Sequence, residues 1–333
     1  MLQAFRQLAQ GALGFGALVF ATLAAANPAQ AGWLKAESER FIVYSDGNAN
    51  QLRRFTQELE SFDRLLRIRL GVNLDQPTYR KLPVYLLGSR SAMLQIKPDA
   101  PEELAGFYMA TDEDIFGVAR RDEEMHTLKH EYAHHFMMQN FSHAYPSWFI
   151  EGFAEFYSTT DFTSKGQYQV GRPAYFRAHG LVNMPRIPVA DLLLKQPREM
   201  RSSGQMDVYY GRAWLLTHML YYHPDRSGQL TAYIDAINRG ADGEQAAIAA
   251  FGDLAALDRD LQRYLGRPLT YMTSAAPVPI PGTITITALS NAQDALLPWQ
   301  RERRSARDSE RLVEVRDELK MLTAEYGDSA GVW

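Results

Sequence analysis

The sequence predicts a mixed α+β fold, with a small sheet in its first part and a mostly helical lobe after it. Three observations carry this. Short runs rich in β-branched and aromatic residues, bounded by Gly, Pro and Asp, lie before Glu123, apart from one in the tail. From Glu123 onward, apolar residues recur at helical spacing. The composition is that of a globular protein, 46% hydrophobic and 22% charged over 333 residues, enough for one large domain or two smaller ones.

Met1 to Gln10 carries Arg6 and no acid, Ala12 to Ala26 is apolar, and Ala29-Gln30-Ala31 follows. This pattern reads as a secretory signal peptide over 1–31, cut after Ala31, and so as a periplasmic or secreted protein. The apolar run is short for a bilayer span, which needs about 20 residues. The main domain is expected over 32–272. Within it, Phe41 to Tyr44 reads as a strand, Asn50 to Leu70 as an amphipathic helix and Leu82 to Leu87 as a second strand. Gly106 to Ala110 and Ile115 to Ala119 flank an acidic turn, Thr111 to Asp114, and suggest a hairpin at a sheet edge. Helices are expected over 123–140, 146–159, 209–222, 230–238, 243–251 and 257–265. A Pro-rich linker is expected over 273–282, with Ala275 to Gly282 as its core. The tail, 283–333, is read as a strand and a helix that look like one unit of a helical repeat.

Composition also excludes classes. The net charge is −4, and the Arg301 to Arg307 cluster reads as a solvated helix face, so there is no footprint for nucleic acid. There are no cysteines, hence no disulfides, thiolate nucleophiles or Cys-type metal sites. Past the signal, no run is apolar enough for an integral membrane segment.

The chemistry concentrates at His130-Glu131-Tyr132-Ala133-His134. Residues four apart share a helix face, so both imidazoles can reach one metal ion. Glu131, beside them, can act on a water at that metal, which is the metallopeptidase reading of this spacing. An amphipathic helix with two surface histidines is the plainer reading of five residues alone. The segment Trp148-Phe149-Ile150-Glu151-Gly152-Phe153-Ala154-Glu155-Phe156 decides between them. Carboxylates rarely sit among so many apolar residues unless paired or bound to metal. Glu151, 17 positions after His134, is a natural third ligand. Three protein ligands with one open position make a catalytic zinc (Zn2+) site rather than a structural one. Glu155, one turn on, can accept a hydrogen bond from the far nitrogen of a ligand histidine and fix its tautomer.

These two segments resemble the gluzincin zinc metallopeptidases, the peptidase MA-like group, whose third ligand is the Glu of a W-[LF]-x-E-G-x-A segment. Trp148 to Ala154 matches it position by position. The resemblance is specific from Glu123 to Tyr157 and looser over Trp33 to Leu265. It implies a thermolysin-like catalytic architecture, in which a sheet with an edge strand precedes the active-site helix and a helical lobe follows. It implies zinc as cofactor, a peptide or protein as substrate and Glu131 as general base. Aminopeptidase-type members also carry Y-x-x-[GA]-[FW]-x-L-L, and Tyr210 to Leu216 is similar to it. The family's oxyanion-stabilising role then falls on Tyr210, with Tyr209 one register away and a merely buried tyrosine the plainer reading. The amine-holding G-x-M-E-N segment is missing, since Gly106-Phe107-Tyr108-Met109-Ala110 stands there. That points to an endopeptidase rather than an aminopeptidase, and leaves an edge strand for an extended peptide. Phe107 and Tyr108 read more simply as packing residues. His126 shares the face of His130, His135 should point elsewhere, and the remaining histidines read as structural or surface. The rival function is a secreted, catalytically silent binding or scaffold protein built on the same metal fold.

Overall fold

The computed structural model describes residues 32–97, 100–102, 104–110, 115–121, 125–279, 282–305 and 309–327. The expected signal peptide over 1–31, the acidic turn at 111–114, the first residues of the 123–140 helix and the last six residues of the tail lie outside them. The fold is α+β, a mixed sheet followed by a mostly helical part.

Strands β1 (Leu34–Glu37) and β2 (Phe41–Ser45) form an antiparallel pair. Helix α1 (Ala49–Leu70) follows, capped by the Asn48 side chain and closed by Gly71 in the left-handed region, φ 68°. This termination needs glycine, because a Cβ is disfavoured there. Strand β3 (Leu82–Leu87) lies parallel to β2. After helix α2 (Arg90–Ile96), the hairpin β4 (Gly106–Ala110) and β5 (Ile115–Arg120) places β5 parallel to β3 and β4 at the sheet edge. All six residues of β3 are buried. Its sequence, LPVYLL, is apolar throughout rather than alternating, as a strand covered on both faces requires. Leu82, Val84 and Leu86 join the main core with α1 and the next helix, α3 (His126–Asn140). Tyr85 and Leu87 point the other way, into a second core with Met93 and Ile96 of α2.

The helical part begins with α3 and α4 (Ser147–Ser158). Strands β6 (Asp161–Phe162) and β7 (Tyr168–Val170) precede α5 (Ala178–Asn183), α6 (Val189–Leu194) and the long α7 (Ser203–Tyr222). Then come α8 (Gln229–Asn238), α9 (Gly243–Phe251) and α10 (Leu254–Leu265), close to the expected bounds.

The last part of the chain departs from expectation. The segment 273–282 is no free linker: β8 (Met272–Thr273) pairs with β7, Gln167 Nε2 donates to Ser274 O at 2.9 Å, and Val278 N donates to Gly166 O at 2.9 Å. The tail is not a separate repeat unit either. Strand β9 (Thr285–Ala288) pairs antiparallel with β1 and completes the order β4-β5-β3-β2-β1-β9 among the described residues. Helix α11 (Asn291–Ser305) buries Leu297 in the second core with Tyr85 and Leu87, and α12 (Ser309–Glu325) packs on α11. The physical reason is the sheet itself. Without β9, β1 would present a row of unpaired backbone groups, and without α11 the second face of β3 would lose apolar cover. Among the described residues, no helix is long and apolar enough to cross a membrane.

Three polar contacts hold α3 from behind. Tyr132 Oη donates to Asp63 Oδ1 at 2.7 Å, and the Asp63 carboxylate also takes Arg40 Nε and Arg67 Nε at 2.8 Å each. Lys129 Nζ donates to Thr160 O at 2.9 Å and pairs with Glu58 at 2.6 Å. Tyr108 of β4 hydrogen-bonds His135 Nδ1, and burial pushes the His135 imidazole down to about 4, so it stays neutral. Asp63 is fully buried and joins two cations and a phenol from three parts of the chain. Asp63→Ala is therefore expected to destabilise the fold by about 3–5 kcal/mol, because it strands buried charge. Denaturant unfolding of wild type and variant measures this, and a loss under about 1 kcal/mol contradicts it.

Candidate metal centre

Two helices each present one pair of residues a turn apart. His130 and His134 come from α3, and Glu151 and Glu155 from α4, which starts at Ser147 directly after the extended Pro146. The approach of α4 to α7 depends on Gly152. A Cβ there would lie 2.6 Å from Ala213 O and collide with the Thr217 hydroxyl. The glycine next to Glu151 thus lets α7 close down beside the site.

His130 Nε2 and His134 Nε2 are 3.0 Å apart, and each lies 3.3 Å from Glu151 Oε2. These three residues form a group able to hold a metal ion. Three ligands set tetrahedrally at about 2.0–2.1 Å from one centre are about 3.3 Å apart, so the spacing fits a small divalent cation. The spacing does not single out zinc. The donor chemistry fits too. His130 Nδ1 lies 3.2 Å from Glu155 Oε1, so this nitrogen can keep a proton while Nε2 gives up its own to ligate a metal ion.

Electrostatics favour a cation. Burial alone would lower the His130 pKa, yet it is raised well above the ordinary imidazole value, because Glu151 and Glu155 accept hydrogen bonds from it. Burial would raise Glu151, but the two histidines hold it down at about 2. Glu155 is likewise held at about 2 against its burial, by His130 and Arg177. Without a metal the carboxylates draw a proton onto His130, and a dication can take its place. Glu131 lies in the same field. Its carboxyl is raised, first by burial and then by Glu151 and Glu155, against the opposing pull of His130 and His134.

Tyr210 stands edge-on to His130, ring centroids 6.2 Å apart, with the Arg177 guanidinium 5.1 Å from its own ring centre. Burial and the charge of Glu151 keep its phenol protonated. Tyr209 is turned away, fully buried, and donates to Lys195 O at 3.0 Å. His126 stacks on Phe176 with centroids 4.6 Å apart. His218 is deep in the core, bonded to Tyr264 Oη at 2.8 Å and to the Gly171 and Thr270 carbonyls at 3.0 Å.

Sequence reasoning missed two residues. Arg177, ending a 3₁₀ turn at Tyr175–Arg177, grips Glu155 with Nε at 3.1 Å and Nη2 at 2.6 Å, and reaches Asp207 of α7 at 2.9 Å. The chain of contacts Asp207–Arg177–Glu155–His130 thus runs out from the ligand triangle. No periodicity or motif marks Arg177; only Asp207, three before Tyr210 on one helix face, had a local signal. No family model matches the sequence, and no curated protein matches it.

Proposed function

We propose that this chain is a zinc-dependent metallopeptidase of gluzincin type that cuts within peptide chains, outside the cytoplasm. The observation that carries the reading is the triangle of His130 Nε2, His134 Nε2 and Glu151 Oε2, with edges of 3.0, 3.3 and 3.3 Å. It is supported by the acidic group Glu131 adjoining it in sequence and by the resemblance of both helices to that family. A sheet with an edge strand before the metal helix and a helical lobe after it agree with the thermolysin-like architecture.

When bound, zinc supplies a Lewis acid and lowers the pKa of a coordinated water to about 7. His130, His134 and Glu151 would hold it. Glu131 takes the proton of the attacking water and passes it to the leaving amine. Tyr210 donates a hydrogen bond to the oxygen that gains charge. Glu155, gripped by Arg177, keeps His130 in the ligating tautomer. Edge strand β4 offers backbone groups to an extended peptide.

Gently purified protein is expected to carry about one zinc per chain by elemental analysis, and to release protons when apo protein takes up metal, because His130 is raised. Alanine at His130, His134 or Glu151 is expected to abolish stoichiometric binding. Cut sites in a diverse peptide mixture, mapped by mass spectrometry, test turnover. Wild type without zinc that also takes none up sinks the proposal.

A further inference from the structure

Four contacts around the metal centre close into a ring. His130 Nδ1 meets Glu155 Oε1 at 3.2 Å, and Glu155 is held by Arg177 Nε and Nη2 at 3.1 and 2.6 Å. The Arg177 guanidinium carbon lies 5.1 Å from the Tyr210 ring centre, and that ring stands edge-on to His130 at 6.2 Å. The four members come from α3, α4, the Tyr175–Arg177 turn and α7, so no local rule places them together. A Cβ on Gly211, the residue after Tyr210, would lie 2.9 Å from Leu181 Cγ and 3.4 Å from Arg177 Cβ. Glycine there lets the segment carrying Arg177 close on α7.

Offsetting the buried charge of Glu155 is the plainer role for Arg177, but it does not account for the geometry. A lysine ammonium, a point charge on a flexible stem, would offset it as well, whereas a guanidinium is a rigid planar fork. Here the fork is engaged on both sides. One edge takes both Glu155 oxygens, and Nη1 reaches Asp207 Oδ1 at 2.9 Å. Between these anchors the guanidinium carbon sits over the Tyr210 ring at 5.1 Å and over the Phe176 ring at 5.3 Å. A cation this close to a ring face is attracted to it. With two edges anchored the plane cannot turn freely, so a ring resting on it is held as well. Glu155, which fixes the His130 tautomer, and Tyr210 thus lean on the same side chain.

We infer that Arg177 is a positioning residue shared by the metal ligand and the tyrosine: through Glu155 it orients His130, and through its own plane it fixes the Tyr210 ring. The consequence for hydrolysis rests on the peptidase reading; the joint placement of His130 and Tyr210 does not. The test is Arg177→Lys in the full chain, because it keeps the charge and removes the fork. Zinc affinity is measured by competition with a chromogenic chelator, in wild type, Arg177→Lys, Glu155→Gln and the double variant. Fluorotyrosine in place of Tyr210 reports the ring by fluorine NMR in zinc-saturated samples. Arg177→Lys is expected to weaken zinc by about tenfold or more. In the Glu155→Gln background the same change should cost less than about twofold, whereas a general fold defect would weaken zinc there too. The narrow fluorine resonance of wild type is expected to shift or broaden in Arg177→Lys. At saturating zinc, kcat should fall about tenfold with KM within a small factor, and Arg177→Lys should add little to Tyr210→Phe. Equal zinc affinity in wild type and Arg177→Lys, or an unchanged Tyr210 resonance, overturns the shared role and leaves the peptidase reading standing. Both spectroscopic changes without any cutting by wild type uphold the shared role and overturn the peptidase reading. A wild type that takes up no zinc overturns the two together.

Discussion

Glu131→Gln is expected to keep the metal and lose about 10²- to 10⁴-fold in kcat on peptide substrates, the span of a general-base contribution. The amide has the size of the carboxylate but cannot take a proton from water. None of the three converging ligand atoms belongs to Glu131, so zinc content should match wild type. The raised carboxyl of Glu131 matters here. Burial and the neighbouring Glu151 and Glu155 make it a stronger base than an exposed glutamate, despite the pull of the two histidines. Activity that needs the ionised carboxylate is therefore expected to fall as pH drops through a Glu131 pKa lying above the ordinary carboxylate range. Steady-state kinetics with elemental analysis on the same samples decide it. Equal cutting by wild type and variant would place hydrolysis elsewhere, and a scaffold protein would show no cutting by either.

Tyr210→Phe is expected to lower kcat by about 10²- to 10³-fold, with KM within a small factor and zinc still bound. Hydrolysis passes through a tetrahedral species whose oxygen gains charge as water adds. A donor aimed at that oxygen acts only there, so ground-state binding is little affected. The Tyr210 ring faces His130, and its phenol is kept protonated by burial and by Glu151, which preserves the donor. Tyr209→Phe is the control. Its hydroxyl is committed to Lys195 O, so its loss should cost stability of about 0.5–1.5 kcal/mol and leave kcat nearly unchanged. A kcat loss in Tyr209→Phe alone reverses the assignment, and silence in both variants removes the tyrosine from the mechanism.

Particular elements show how much was legible. Strands β2 and β3, helix α1 and the hairpin β4–β5 emerge from short-range pattern because each has a continuous apolar side to bury. Helix α3, expected over 123–140, is a weaker case: it buries Lys129, Tyr132 and His135 on its inner face and carries His130 and His134 on the other, so its apolar periodicity is weak. The first strand, Leu34–Glu37, was invisible for a similar reason, since LKAE has one fully buried position of four. The partners of α3, namely Asp63, Thr160 and Tyr108, lie 69, 31 and 27 positions from the residues they meet. Nothing in the sequence links such distant polar residues.

The sequence alone therefore determined the convergence of His130 with His134 and of Glu151 with Glu155. In each pair the residues are four apart on one helix, and that geometry is local. Tertiary structure decided everything that depends on how elements cross. It set the two glutamates against the two histidines, joined Arg177 and Asp207 to them, and turned Tyr210 toward His130 while Tyr209 points away. It also drew β9 and α11 back to the sheet across more than 200 positions of chain, as the pairing of Leu34 with Ala288 shows. The reason is physical: helix and strand periods are written in neighbouring residues, whereas crossing and register are chosen by the burial of whole faces.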